Sequence, residues 1–153
     1  MSIKKTELIR DYWKGFIRDN NKLNHLNDYN FEAWSFGNTP EMANHLGQLV
    51  LEGKKTATCS LLRAYKGEES EIPRVGVYSV LCDASERPIG IVYLTNTWIC
   101  KYSEVTPEHA FEEGEGDRSL AYWKKAHHEF FSNYEGFHND DELVCERFRL
   151  VYK

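Results

Sequence analysis

Apolar positions recur along the chain at two periods, and each switch of period marks a change of element. Leu8, Ile9, Tyr12, Trp13, Phe16 and Ile17 fall at helical spacing and predict a helix over about residues 5–20. Residues 20–30 are polar and predict a surface connection. Trp34-Ser35-Phe36 reads as a short strand or an anchored loop. Thr39, Pro40 and Glu41 then supply an N-cap, a first helical position and a first-turn acid. Met42, Leu46, Leu49 and Val50 mark one face of that helix, and Gly53 is its expected stop. Over residues 54–62 the period drops to two, with Thr56, Thr58 and Ser60 on one face and Ala57, Cys59 and Leu61 on the other. Residues 77–82 and 88–95 predict two strands joined by a polar turn at 83–87, and 98–102 could continue a sheet. Thr106-Pro107-Glu108 repeats the cap, proline and acid pattern. Leu120, Trp123, His127, Phe130, Phe131 and Tyr134 mark a longer helix, with Asp117 as its expected cap. Residues 143–152 alternate as a final strand.

This order lacks a regular βαβ alternation, so it predicts an α+β domain around a curved sheet or small barrel. The 153 residues amount to one domain, large enough to fold without a disulfide or a metal. Four cysteines, Cys59, Cys82, Cys100 and Cys145, are widely spaced in strand-like runs and predict buried free thiols. Nineteen basic residues against 24 acidic ones give −5, which excludes a whole-surface attraction to nucleic acid or to an anionic membrane. A local basic patch stays open. No apolar run approaches the ~18 residues of a membrane span, and residues 1–8 show no secretion signal, so a cytoplasmic location is expected.

Several motifs look familiar and fail. Gly53-Lys54-Lys55-Thr56 lacks the earlier glycine of a phosphate loop, where Gln48 stands, and it leads into a strand instead of a helix. The segment 114–119 half-matches a dinucleotide fingerprint, but its carboxylates would repel a pyrophosphate. His25, His45 and His109 have no histidine neighbour at ligand spacing, and His127-His128-Glu129 lacks the H-E-x-x-H pattern, so no metal is expected. No G-x-S-x-G elbow is present.

Two segments remain. Lys54, Lys55, Thr56 and Thr58 lie at a helix-to-strand junction, and Arg63, Lys66, Arg74, Lys124 and Lys125 add cations around Tyr65 and Trp123. Cations with aromatics suit a phosphate and a stacked base. Glu112, Glu113, Glu115 and Asp117 surround Gly114 and Gly116, followed by Arg118 and Ser119. If this loop folds over Lys55, a carboxylate–ammonium–hydroxyl cluster forms.

On these segments the sequence resembles the activating signal cointegrator homology (ASCH) domain family. The matching stretches are Trp34-Ser35-Phe36-Gly37, Gly53-Lys54-Lys55-Thr56-Ala57-Thr58, Pro73-Arg74-Val75-Gly76, Glu113-Gly114-Glu115-Gly116-Asp117-Arg118-Ser119-Leu120 with Tyr122-Trp123, and Val144-Cys145-Glu146-Arg147-Phe148. The resemblance implies an ASCH domain over residues 34–153, with 1–33 as an N-terminal helical extension. It implies a small PUA-like β-barrel with flanking helices that binds a nucleoside or short single-stranded RNA, without cofactor or metal. Some small bacterial members are amidohydrolases that deacylate acetylated cytidine, and another is a single-strand ribonuclease. Others would serve as non-catalytic RNA-binding modules. The amidohydrolase set, carried over, gives Lys55, Thr58 and either Glu113 or Glu115 as catalytic residues. Trp34, Phe36, Lys54, Thr56, Tyr65, Arg118 and Ser119 are the expected substrate-binding residues. In a regular strand Lys55 and Thr58 point to opposite faces, so their cooperation requires Lys55 to sit in the bend before the strand. Lys55 could act as base only if neutral, and a close carboxylate would oppose that.

Overall fold

The computed structural model describes residues 2–65 and 72–153. Lys66 therefore lies outside the described residues. Among them the chain is α+β, with helices α1 (Glu7–Arg18), α2 (Pro40–Leu51), α3 (Pro107–Glu113) and α4 (Leu120–Phe131). The strands are β1 (Phe31–Trp34), β2 (Ala57–Leu61), β3 (Tyr78–Cys82), β4 (Pro88–Lys101) and β5 (Glu142–Tyr152). They form one mixed sheet in the order β1-β3-β4-β5-β2, in which β1 and β3 run parallel and the β3–β4 and β2–β5 pairs antiparallel. The sheet is open, so the expected barrel is not closed. Its edge strands hold only four and five residues, which leaves few backbone groups for a closing ladder.

The chain divides into two compact units. The first comprises the residues up to Gly53, Gly76–Leu94 and Arg149–Lys153. Thr6 caps α1 by accepting the Ile9 N–H at 3.3 Å. Ile9, Trp13 and Phe16 then form a buried stripe against Phe31 and Ala33 of β1, Val80 and Cys82 of β3, and Ile91 of β4. Trp13 stacks on Phe31 with ring centres 4.7 Å apart. Residues of α1 are thus part of this unit's core. Thr39 caps α2 in the same way, and Gly53 ends it with φ +76°.

The second unit comprises Lys54–Val75 and Thr95–Phe148. Leu61 of β2, with Cys59 beside it, packs into a core with Leu143 and Cys145 of β5, Ala110 of α3, and Trp123 and Phe131 of α4, and Ala57 is also buried. The alternation expected for β2 holds, with Thr58 and Ser60 on the other face, less deeply buried than Ala57 and Leu61. Three details depart from the sequence pattern. The expected pair of strands at 88–95 and 98–102 is the single strand β4. The cap of α4 is Ser119, whose hydroxyl accepts the Tyr122 N–H at 3.1 Å, while Asp117 accepts the Ser119 N–H at 2.9 Å. Asp117 thus lies two residues too early to cap the helix itself. All four cysteines are free thiols, but only Cys82 and Cys145 are fully buried.

Candidate functional site

The site lies in the second unit, where the acidic segment is fastened onto the residues just before β2. The Thr56 N–H and hydroxyl both donate to the Glu112 carbonyl, at 2.7 and 3.3 Å. Arg147 of β5 grips the Glu112 carboxylate with two bonds, at 2.7 and 3.2 Å. Arg118 donates to the Phe111 and Lys54 carbonyls at 3.0 and 3.2 Å, with its guanidinium 3.6 Å above the Phe111 ring. Gly114 ends α3 at φ +75°, and a Cβ there would collide with the Lys54 carbonyl. That close approach explains the glycine.

The latch places three predicted residues together. Lys55 sits in the bend before β2 and is 2% exposed. Its ammonium donates to Glu115 Oε2 at 3.0 Å, and to Glu113 Oε1 and the Glu113 carbonyl at 3.4 Å each. Both carboxylates left open by the sequence thus touch the lysine. Glu113 is held further: its Oε2 lies 2.6 Å from both His109 Nε2 and Trp123 Nε1. Its Oε1 lies 3.3 Å from His127 Nε2. The His127 ring stacks on Trp123 with centres 4.1 Å apart, and its Nδ1 faces the Trp123 carbonyl at 2.9 Å.

Charges follow from these contacts. Burial pulls the Lys55 ammonium down, but Glu113 and Glu115 outweigh it and the net shift is upward. Burial pushes Glu113 up, yet Lys55 and the two histidines hold its carboxyl well below the usual range. Burial also pulls His127 down, while its bond and attraction to Glu113 raise it overall. With both ring nitrogens facing acceptors, His127 is favoured as imidazolium. The cluster is thus a clamp of two carboxylates around a charged lysine, with His127 bonded to one of them.

Thr58 lies in the middle of β2, directly across the ladder from Glu146. Tyr65 lies in the turn after β2 and hydrogen-bonds Ser60; burial is the main cause of its raised pKa. Thr56 and Ser119 bond to backbone, as a latch and a helix cap, and Lys54 offers its carbonyl to Arg118. Trp34 and Phe36 pack edge to face at 4.8 Å in the first unit. Trp123, a possible stacking platform by sequence, is 2% exposed with its indole N–H on Glu113, so it is core. Arg63 pairs with Asp141 at 3.2 Å.

Sequence reasoning missed His109, His127 and Glu146. Screening histidines for histidine neighbours passes over the i, i+4 pair His109–Glu113 on α3, which was a legible signal. Cys59, His109 and Glu113, or Glu113, Glu115 and His127, bring ligand atoms within 4.8 Å of one another. The Glu113 oxygens are already engaged by Lys55, both histidines and Trp123, so a cation there would have to displace the ammonium.

Comparison with known proteins agrees with this architecture. The ASCH domain model matches residues 32–152, and the chain belongs to the ASCH domain family, with its PUA-like RNA-binding fold. The ASCH domain from Lactobacillus crispatus JV V101 is 32% identical, with a TM-score of 0.89 over 97% of this chain and 96% of that one. A protein from Enterococcus faecalis V583 is 36% identical, with a TM-score of 0.78 over 93% and 86% of the two chains. No curated protein matches the sequence. No helix of the described residues is long and apolar enough to cross a membrane.

Proposed function

We propose that the protein is a metal-independent amidohydrolase that removes the acyl group from the exocyclic amine of an acylated cytidine, free or in a short single strand. The observation that carries this reading is the buried Lys55 ammonium fixed between Glu113 and Glu115, three residues before the Thr58 hydroxyl. Amide hydrolysis needs a nucleophile and a site for the negative charge that develops on the acyl oxygen. Thr58 supplies the nucleophile. Lys55, held charged, acts on the oxyanion through its field instead of acting as the base. Glu113, anchored by His109, Trp123 and His127, positions Lys55. The side chain of Glu115 is 17% exposed against 1% for Glu113, which supports Glu115 as the carboxylate that orients the substrate amine. The net charge of −5 disfavours long RNA and suits a nucleoside or a short strand.

The charged Lys55 also favours a second reading, a non-catalytic RNA-binding module in which the ammonium contacts a phosphate. One assay series separates the two. Acetate release from acetylated cytidine, insensitive to EDTA and lost in Lys55→Ala and Thr58→Ala, is the expected result. Salt-sensitive RNA binding without turnover supports the module. Cutting of unstructured RNA without deacylation points instead to a ribonuclease. Equal background rates in wild type and Lys55→Ala overturn the amidohydrolase reading for that substrate.

A further inference from the structure

A threonine hydroxyl attacks an acyl carbon only if something takes its proton, and the clamp just described withholds the obvious candidate. An ammonium has no lone pair, and Lys55 is kept as one by two carboxylates. A different titratable group is the ladder partner of the threonine. Thr58 and Glu146 are direct partners in the antiparallel β2–β5 ladder. Their side chains therefore leave the sheet on the same face, with Cβ atoms about 4.5–5.5 Å apart. Ser60 shares that face, and Tyr65 hydrogen-bonds Ser60. The other face is apolar core, with Ala57, Leu61, Leu143 and Cys145. Glu146 is thus a mostly buried carboxyl on a polar face, outside the Lys55 clamp.

We propose that Glu146 is the proton acceptor for Thr58 in deacylation of an acylated nucleobase amine, an inference that rests on the amidohydrolase reading above. The Glu146 carboxylate takes the Thr58 hydroxyl proton as the Oγ1–carbon bond forms. The carbonyl electron pair moves onto oxygen, and the Lys55 charge reaches this face as a field, as it does at Glu146. Collapse of that alkoxide breaks the carbon–nitrogen bond, and the Glu146 proton goes to the leaving nitrogen. Water then attacks the threonine ester, giving its proton to Glu146, and the proton returns to Thr58 Oγ1 as the acid departs. One water is consumed, and one amine and one carboxylic acid are formed.

Among the described residues, three titratable groups act on or with Glu146. Lys55 comes from the bend before β2, Tyr65 from the turn after it, and Cys145 is its neighbour on β5. Burial dominates and pushes the Glu146 carboxyl up to about 7, with Lys55 partly offsetting it. Both protonation states are therefore populated near neutrality, which suits a group that must take and return a proton in one cycle.

The test compares wild type, Glu146→Gln and Glu146→Asp, each first shown to be folded, for acetate release from acetylated cytidine across the neutral pH range. The rate of the wild type is expected to rise with pH through a midpoint near 7. Glu146→Gln should lose that limb and roughly 10²–10⁴-fold in kcat. Glu146→Asp should recover part of both. A Glu146→Gln protein that keeps the wild-type rate and pH limb overturns the inference while leaving the amidohydrolase reading intact. If the wild type releases no acetate, that reading fails, and the Thr58–Glu146 pair is read separately with p-nitrophenyl acetate as acyl donor. Acetylation of the Thr58 peptide in wild type but not in Glu146→Gln supports the pair. Equal acetylation in both, or none in either, overturns it.

Discussion

Replacing Lys55 with methionine keeps most of the side-chain volume and removes the charge at the centre of the clamp. The ammonium makes three contacts of 3.0–3.4 Å with Glu115, the Glu113 carboxylate and the Glu113 carbonyl. Without it, Glu113 remains a carboxylate with 1% exposure, and Glu113 and Glu115 lose the buried cation between them. Breaking a buried pair from one side costs about 3–5 kcal/mol. The lower end applies, because His109, Trp123 and His127 still bond Glu113. For a domain of this size, about 3 kcal/mol lowers the melting temperature by roughly 6–12 °C. Urea unfolding at neutral pH reads the loss directly. The deficit should shrink in acid, because the orphaned Glu113 of the variant takes up a proton more easily than the paired one. A loss below about 0.5 kcal/mol, the range of ordinary surface substitutions, would refute the idea that this pair is buried and mutually dependent.

Two further outcomes follow from the same geometry. Glu146 holds its proton at about 7 when folded against an ordinary 4.5. Its stabilising contribution is therefore complete below the unfolded value and is lost as pH rises through about 7. At one pKa unit per 1.36 kcal/mol, Glu146→Gln should be more stable than wild type by up to about 3 kcal/mol in mild alkali and should converge with it in acid. Parallel stability curves would contradict the burial of that carboxyl. Gly114→Ala should destabilise by more than the about 1–3 kcal/mol of a left-handed backbone, because its Cβ meets the Lys54 carbonyl. Gly53→Ala, at a similar φ of +76° with open space around it, should cost only the backbone strain. Equal losses in thermal unfolding would show that the latch does not close as described.

Much of the fold was legible because local rules and tertiary packing agreed. The Thr39-Pro40 and Thr106-Pro107 pairs start helices where capping chemistry says they should, and Gly53 stops α2 by the conformation only glycine takes easily. Asp117 misled because Asp and Ser both cap helices, and only the register of the first turn decides between them. Whether the curved sheet closes into a barrel was not legible, since closure depends on which edges find partners across long sequence separations. In the site, opposite charge and two glycines allowed the meeting of Lys55 with the acidic loop without requiring it. Which charge state Lys55 takes did not follow, because burial and two carboxylates act in opposite directions and only their distances decide. Glu146 was hidden for a simpler reason. Its importance comes from the register Thr58↔Glu146, which pairs residues far apart in sequence.

The account turns on a charged Lys55. An NMR titration of 15N-labelled lysine side chains, with Lys55→Met used to assign the resonance, measures this directly. The Lys55 ammonium should keep its proton beyond the ordinary 10.5, and its resonance should move when Glu115 is replaced by glutamine. A Lys55 that loses its proton near neutral pH would contradict the clamp and return the role of base from Glu146 to the lysine.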